Sequence, residues 1–222
     1  MLSLLDGSVD ILDFLKNSLY RIPAVLIALV FHEWAHAFVA YKRGDPTAKM
    51  LGRLTLNPTK HLSLVGTLMM FFVGIGWAKP VPIDPRNFKK GHLDDFLVSI
   101  AGIAMNLLLY LGFITAYYLL WQPAFMLSNL QNELLFMLLR IAVTNLSIAV
   151  FNLIPVPPLD GSHIFNDLLF RGKFFVNQQI AQGGMAVLML LSFSGWLGKG
   201  ISAVTGAALN GTYWLLARIF GG

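Results

Sequence analysis

Long apolar runs dominate this chain of 222 residues, and a lipid bilayer is the environment they demand. A spanning helix needs about 20 mostly apolar residues, because backbone groups in hydrocarbon must be satisfied within the segment itself. By that measure spans are predicted from about Ile22 to Tyr41, Phe96 to Trp121 and Leu134 to Ile154, with further apolar segments at Ile180–Leu197 and Ile201–Phe220. Only 12% of residues are charged and 56% are hydrophobic, whereas soluble domains carry about 25% charged residues. A disordered tail, a nucleic-acid-binding domain and a secreted disulfide scaffold are poor matches. There is no cysteine, so any metal must be held by His, Asp or Glu. No basic region precedes an apolar core at the N-terminus, so no cleavable signal peptide is expected.

The predicted fold class is an all-α polytopic membrane protein with about five to six transmembrane helices. A short membrane-associated β-strand and re-entrant segment is expected after the first span. Three regions follow. Residues 1–21 form an amphipathic interfacial lead-in, residues 22–170 a membrane core, and residues 171–222 C-terminal membrane helices. Between Lys42 and Lys60, Leu51–Asn57 alternates Leu with other residues, a strand-like pattern. Leu62–Trp77 is apolar but short and broken by glycine, so it reads either as re-entrant or as spanning.

Charge placement favours the re-entrant reading. Lys42, Arg43, Lys49, Arg53 and Lys60 precede Leu62–Trp77, and Lys79, Arg86, Lys89 and Lys90 follow it. If that segment dips in and returns, all of these share one side, which the positive-inside rule makes cytoplasmic. Residues 122–133, which contain no Lys or Arg, are then extracytoplasmic, and Arg171 and Lys173 return to the basic side. This distribution accounts for much of the net charge of +5 without a nucleic-acid partner.

The chemistry concentrates in the first span, where His32-Glu33-Trp34-Ala35-His36 matches H-E-x-x-H. Histidines at i and i+4 share one helical face and can converge on one zinc, with Glu33 placed to act as base on a water there. Three ionisable groups lie about 15 to 21 Å into the helix at 1.5 Å per residue, each costing a few kcal/mol at the bilayer centre unless partnered. The plainer alternative is a polar helix face with His–Glu hydrogen bonding only.

A third ligand is needed, and Asp160, in Asn152-Leu153-Ile154-Pro155-Val156-Pro157-Pro158-Leu159-Asp160-Gly161, is the best placed. The prolines exclude a regular helix, and irregular backbone at membrane depth occurs where it lines a cavity or packs on protein. The alternative is that Asp160 N-caps the following helix, with Gly161 at the turn.

Taken together, the HEWAH span, the Asn-Leu-Ile-Pro-x-Pro-Pro-x-Asp-Gly segment and Gly76-Trp77-Ala78-Lys79-Pro80-Val81-Pro82 resemble the site-2 protease family of intramembrane zinc metalloproteases, in its compact prokaryotic branch without a PDZ domain. The match runs from about residue 30 to residue 165 in the family's order. The resemblance implies one zinc per chain with His32, His36 and Asp160 as ligands, and Glu33 as general base. It implies that Asn152 polarises the substrate carbonyl or holds the oxyanion. The family's Ala-Gly-Pro-x-x-Asn motif corresponds to Ala101-Gly102-Ile103-Ala104-Met105-Asn106, which keeps the Gly and Asn and replaces the Pro with Ile. Gly102 is expected to permit close helix packing, and Asn106 to hydrogen-bond within the site or between helices. His163, next to the Asp-Gly pair, is not expected as a fourth ligand, because catalytic zinc keeps a position open. His61 and His92 are expected at the interface.

The implied activity is hydrolysis of transmembrane segments of membrane proteins. A helical substrate must unwind locally, and Leu54, Thr55 and Leu56 of the strand-like segment are candidates for pairing with it. The implied partners are a transmembrane-helix substrate and the lipid bilayer, in the plasma (inner) membrane of a prokaryote; the oligomeric state is not readable. Three other functions are compatible with such a chain: a zinc or proton transporter, a catalytically inactive relative acting as a membrane binding scaffold, and a purely structural membrane protein, which would leave the cost of the buried ions unexplained.

Overall fold

The computed structural model describes residues 11–63, 66, 79–121, 129–173 and 177–220. Three of its helices are long and apolar enough to cross a membrane: α1 (Ile11–Arg43), α4 (His92–Leu120) and α5 (Asn129–Asn152). Between α1 and α4 lie two single-turn helices, α2 (Thr47–Met50) and α3 (Pro58–His61), and a 3-10 turn at Pro85–Asn87. After α5 come α6 (Asp160–Phe170), α7 (Gln178–Phe193) and α8 (Trp196–Phe220). Helix α4 is central, packing against α1, α5 and α6.

Small residues explain how closely α1 and α4 approach. Ala24, Ala28 and Ala40 are fully buried and fall in a four-residue rhythm whose gaps are filled by His32 and His36. Lipid gives helices no hydrophobic reason to associate, so close backbone contact through small side chains supplies the packing. A second core joins Tyr110 and Ile114 of α4, Ala142 and Leu146 of α5 and Leu216 of α8. There the Tyr110 hydroxyl donates to Thr212 Oγ1 at 2.7 Å, tying α8 to the central helix. Leu108, Leu111, Leu119, Leu134, Leu190 and Trp214 point outward and are exposed; a bilayer leaves such groups in an apolar medium.

Two expectations find no support. Among the described residues the candidate spans number three, or four if α7 and α8, which bend by 79° at their junction, are one broken crossing, against the five to six expected. The bend falls at Ser194–Gly195, where Gly195 takes a φ of +77° that side chains resist. The 16 residues of α7 reach only about 24 Å at 1.5 Å each, less than the roughly 30 Å hydrocarbon core. Second, no strand forms among the described residues, and Leu51–Asn57 is turns and bends. Gly52 closes α2 at a φ of +66°, with Gly52 N–H donating to Lys49 O and Arg53 N–H to Ala48 O. Arg53 then turns inward and is buried, so the alternation of leucines reflects a folded loop rather than a period of two. Of Leu62–Trp77 nearly all lies outside the described residues, as do residues 122–128 of the connection expected outside the membrane.

The first span extends the lead-in without a break, since one helix runs from Ile11 through Pro23 to Arg43. Beyond α5, Asn152 ends the helix and Ile154–Leu159 forms a tight turn leading into Asp160. Gly161 fits that turn because a Cβ there would lie 2.5 Å from the Leu153 and Ile154 carbonyl oxygens. Helix α7 covers the same turn, with Gly184 so close that a Cβ would overlap Pro157 O.

Candidate metal centre

Helices α1 and α4 run antiparallel past each other, and their polar residues meet in register. His36 Nδ1 lies 2.7 Å from Val98 O, His32 Nδ1 lies 2.7 Å from Asn106 Oδ1, and Asn106 Nδ2 donates to Ala28 O at 3.0 Å. Gly102 sits between these contacts, and a Cβ there would lie 2.4 Å from His36 Nε2 and 2.6 Å from His32 Cε1. The two imidazoles therefore rest directly on the α4 backbone, deep in the protein, at 5% and 6% exposure.

The hydrogen bonds fix both tautomers. Ala28 O can only accept, so the Asn106 amide nitrogen faces it and the Asn106 oxygen faces His32. That oxygen requires a proton on His32 Nδ1, and Val98 O requires one on His36 Nδ1. In the neutral rings both Nε2 atoms are then left presenting lone pairs, and they lie 3.0 Å apart. Asp160 Oδ2 completes a triangle, 3.2 Å from His32 Nε2 and 3.3 Å from His36 Nε2. That oxygen is buried and has no hydrogen-bond partner among the described residues. Three acceptors crowded together repel one another unless a cation sits among them. Tetrahedral zinc with ligand distances of about 2.0–2.1 Å places its ligands roughly 3.3–3.4 Å apart, so the donor set and the spacing both fit zinc. The trio is the one group of three or more such side chains among the described residues.

The capping alternative for Asp160 is not realised: Leu159 is the N-cap of α6 and no side chain caps it. Asp160 instead points from the first turn of α6 into the triangle. Glu33, half-buried beside His32, accepts from the Val81 N–H through Oε2 at 2.9 Å. Asn152 donates Nδ2 to Ile148 O of its own helix at 3.1 Å, and an amide has a second N–H to offer. Leu54 packs against the cluster of Ala37, Ala48 and Val81. Thr55 O accepts from His61 Nε2 at 2.7 Å, and Leu56 is exposed; no recorded hydrogen bond joins these loop residues to the trio. His61, expected at an interface, is fully buried under this loop.

Several supporting groups escaped the sequence reading. Asn145 of α5 is fully buried and its Oδ1 accepts from Asn106 Nδ2 at 2.9 Å, locking the residue that orients His32. A polar residue inside an apolar span was the signal for it. Val98 O and Val81 N are backbone groups, which leave no mark in a sequence.

His163 stands apart from the trio, with Nδ1 3.4 Å from Asp95 Oδ2, an interaction that raises its pKa. Nearby Asp167 is 5% exposed and both its oxygens lack a hydrogen-bond partner among the described residues. Burial, and then the Asp95 charge, push its pKa up to about 6. The unfolded carboxyl ionises near 3.8, so the native state is penalised as pH rises from about 4 through 6 and remains so above. Asp167→Asn is therefore expected to raise the melting temperature at pH 8, by an amount corresponding to about 1–3 kcal/mol, and to leave it unchanged near pH 4. Equal shifts at both pH values would show that ionisation is not the cause.

Comparison with known proteins places the chain in a family. The model of Peptidase family M50 matches residues 20–193. The chain is 43% identical over 176 residues to the Bacillus subtilis protein named "Putative zinc metalloprotease YwhC", covering 78% of this chain and 79% of that one. It is 32% identical over 140 residues to "Putative zinc metalloprotease Rip2" of Mycobacterium tuberculosis, and 33% identical over 144 residues to Rip2 of Mycolicibacterium smegmatis, covering 61% of this chain and 52% of each relative. No solved structure matches. A family match across most of the chain, joined to a His–His–Asp triangle whose buried histidines lie on an H-E-x-x-H helix, identifies the chain as a member of peptidase family M50, the site-2 protease family of zinc metalloproteases.

Proposed function

We propose that the protein is a zinc-dependent endopeptidase that hydrolyses peptide bonds within the transmembrane segments of other membrane proteins. The observation that carries this reading is the convergence of three acceptor atoms, the two histidine nitrogens on a helix long enough to cross a bilayer and the Asp160 oxygen at the start of α6. A zinc ion held by His32, His36 and Asp160 would supply a Lewis acid that polarises the scissile carbonyl and makes a water acidic enough to attack near neutral pH. Glu33, next to His32 on α1, takes the proton from that water and returns it to the leaving amine. Val81 N–H holds one of its oxygens, and among the described residues no hydrogen bond is recorded to the other. Asn152, with its second amide hydrogen, is the proposed donor to the substrate carbonyl.

The substrate is a membrane-spanning helix that unwinds locally, since a helical carbonyl is already engaged in an i to i−4 bond. The membrane is the prokaryotic plasma membrane, with the basic loops at Lys42–Lys60 and Lys79–Lys90 cytoplasmic and residues 122–133 on the opposite side.

The test begins with zinc. Purified wild type is expected to carry about one zinc per chain and Asp160→Ala to lose most of it, because two neutral imidazoles alone hold zinc poorly. In liposomes, zinc-loaded wild type should cut single-span substrates inside the span, and the Asp160→Ala protein should not. Full zinc retention in Asp160→Ala would remove Asp160 from the ligand set, and a zinc-loaded wild type that cuts no spanning segment would remove the proteolytic reading.

A further inference from the structure

The segment that holds Glu33 is itself held, and one side chain reaches the very peptide that does so. In Lys79-Pro80-Val81-Pro82 the prolines have no N–H, so Val81 carries the one amide hydrogen in residues 80–82. That hydrogen goes to Glu33 Oε2 at 2.9 Å. The other end of the same peptide unit, Pro80 O, accepts from Arg53 Nη2 at 3.2 Å, and Lys79 O accepts from the same nitrogen at 2.5 Å. Arg53 is 7% exposed, and no ion pair to it is recorded among the described residues. A buried guanidinium thus spends its charge on two carbonyls directly behind the amide that grips Glu33.

The anchoring continues on either side. Lys79 N–H donates to His61 O at 2.7 Å. Farther along, Asp84 N–H donates to Asp45 Oδ2 at 2.8 Å, and Asn87 Nδ2 to Asp45 Oδ1 at 2.9 Å. Val81 itself packs on Ala37 and Ala48. The segment is therefore fixed at both ends, and Arg53 grips it at the peptide that matters.

We infer that Arg53 is a positioning residue for Glu33, acting through the Pro80–Val81 peptide: its guanidinium on the carbonyl aims and polarises the amide hydrogen that holds the Glu33 carboxylate. Hydrogen bonds in series polarise one another, most strongly at low local dielectric, and the permanently charged guanidinium brings one nitrogen, Nη2, to both carbonyls. The inference rests on reading Glu33 as the general base, but the link between Arg53 and Val81 can be measured without catalysis.

Two readouts test it on the full-length, zinc-loaded protein. In detergent with ¹⁵N-valine labelling, the Val81 amide is expected to exchange slowly in wild type. Arg53→Gln should speed its exchange and move its resonance in the same direction as Glu33→Gln does. For cleavage, Arg53→Gln should lower kcat by about 10- to 100-fold, with KM and zinc content unchanged. Val81→Pro, which deletes the hydrogen, should give a similar loss, and the double variant should lose no more than the worse single one. Arg53→Lys should fall between, and serves by the same measurements if Arg53→Gln does not fold. An unmoved Val81 amide, or additive losses in the double variant, would overturn the inference. If wild type cleaves no substrate, the protease reading fails while the amide measurement still decides whether Arg53 holds the Glu33 contact.

Discussion

Gly102→Ala is expected to cost the protein its zinc while leaving its helices folded. The added methyl would lie 2.4 Å from His36 Nε2, 2.6 Å from His32 Cε1 and 2.7 Å from His32 Nδ1, distances that no carbon tolerates. The rings cannot swing aside, because their Nδ1 atoms are tethered to Asn106 and Val98 of the same helix, one on each side of Gly102. Either the tethers break or α4 backs away from α1, and both spoil the triangle. Losing an outer partner of a ligating histidine alone typically costs 10- to 100-fold in metal affinity; displacing both rings is expected to cost at least that. Intrinsic propensity works in the opposite direction, since alanine favours a helix by up to about 1 kcal/mol over glycine. Zinc per chain and helical circular dichroism, measured on the same sample, separate the two effects. Zinc binding equal to wild type would mean that the α1–α4 contact is looser than the structure has it.

This contact shows what could be read from the chain alone. Histidines at 32 and 36 share a face by helical arithmetic, and their placement in an apolar run marks them as costly enough to need a purpose. Asn106 was legible through the family's motif, and Asp160 as a carboxylate at a proline-rich break beside a span. The partners that fix the chemistry were not: Val98 contributes a carbonyl, Val81 an amide hydrogen and Gly102 the absence of a side chain. Such groups acquire meaning only when two distant segments are brought together.

The misreadings have equally local causes. Leu51–Asn57 shows leucines in alternation, but Gly52 closes a helical turn and the Arg53 side chain plunges beneath Lys79 and Pro80. A period-two pattern over so few residues carries less weight than one glycine in the left-handed region. At the C-terminal end, Ile180–Leu197 and Ile201–Phe220 each look long enough to span, and hydropathy has no means of registering the 79° bend between them.

Glu33→Gln is expected to separate binding from chemistry. The glutamine side chain has the same length and branching, and its amide oxygen can still accept from the Val81 N–H that meets Oε2 at 2.9 Å. The metal trio does not include residue 33, so zinc should stay at about one per chain. What disappears is a group able to take a proton from water and deliver it to a leaving amine; a primary amide does neither at neutral pH. A positioned general acid–base contributes typically 10²–10⁴-fold, and here one carboxylate serves both halves of the reaction, so the loss should lie toward the upper end. It should appear in kcat, because the proton transfer belongs to the transition state rather than to substrate binding. Measured together on one preparation, retained zinc, retained substrate binding and a fall in kcat of about a thousandfold or more would assign Glu33 its role. Cleavage at wild-type rates would require another base, while loss of zinc in Glu33→Gln would mean that this carboxylate supports the metal trio rather than the proton transfer.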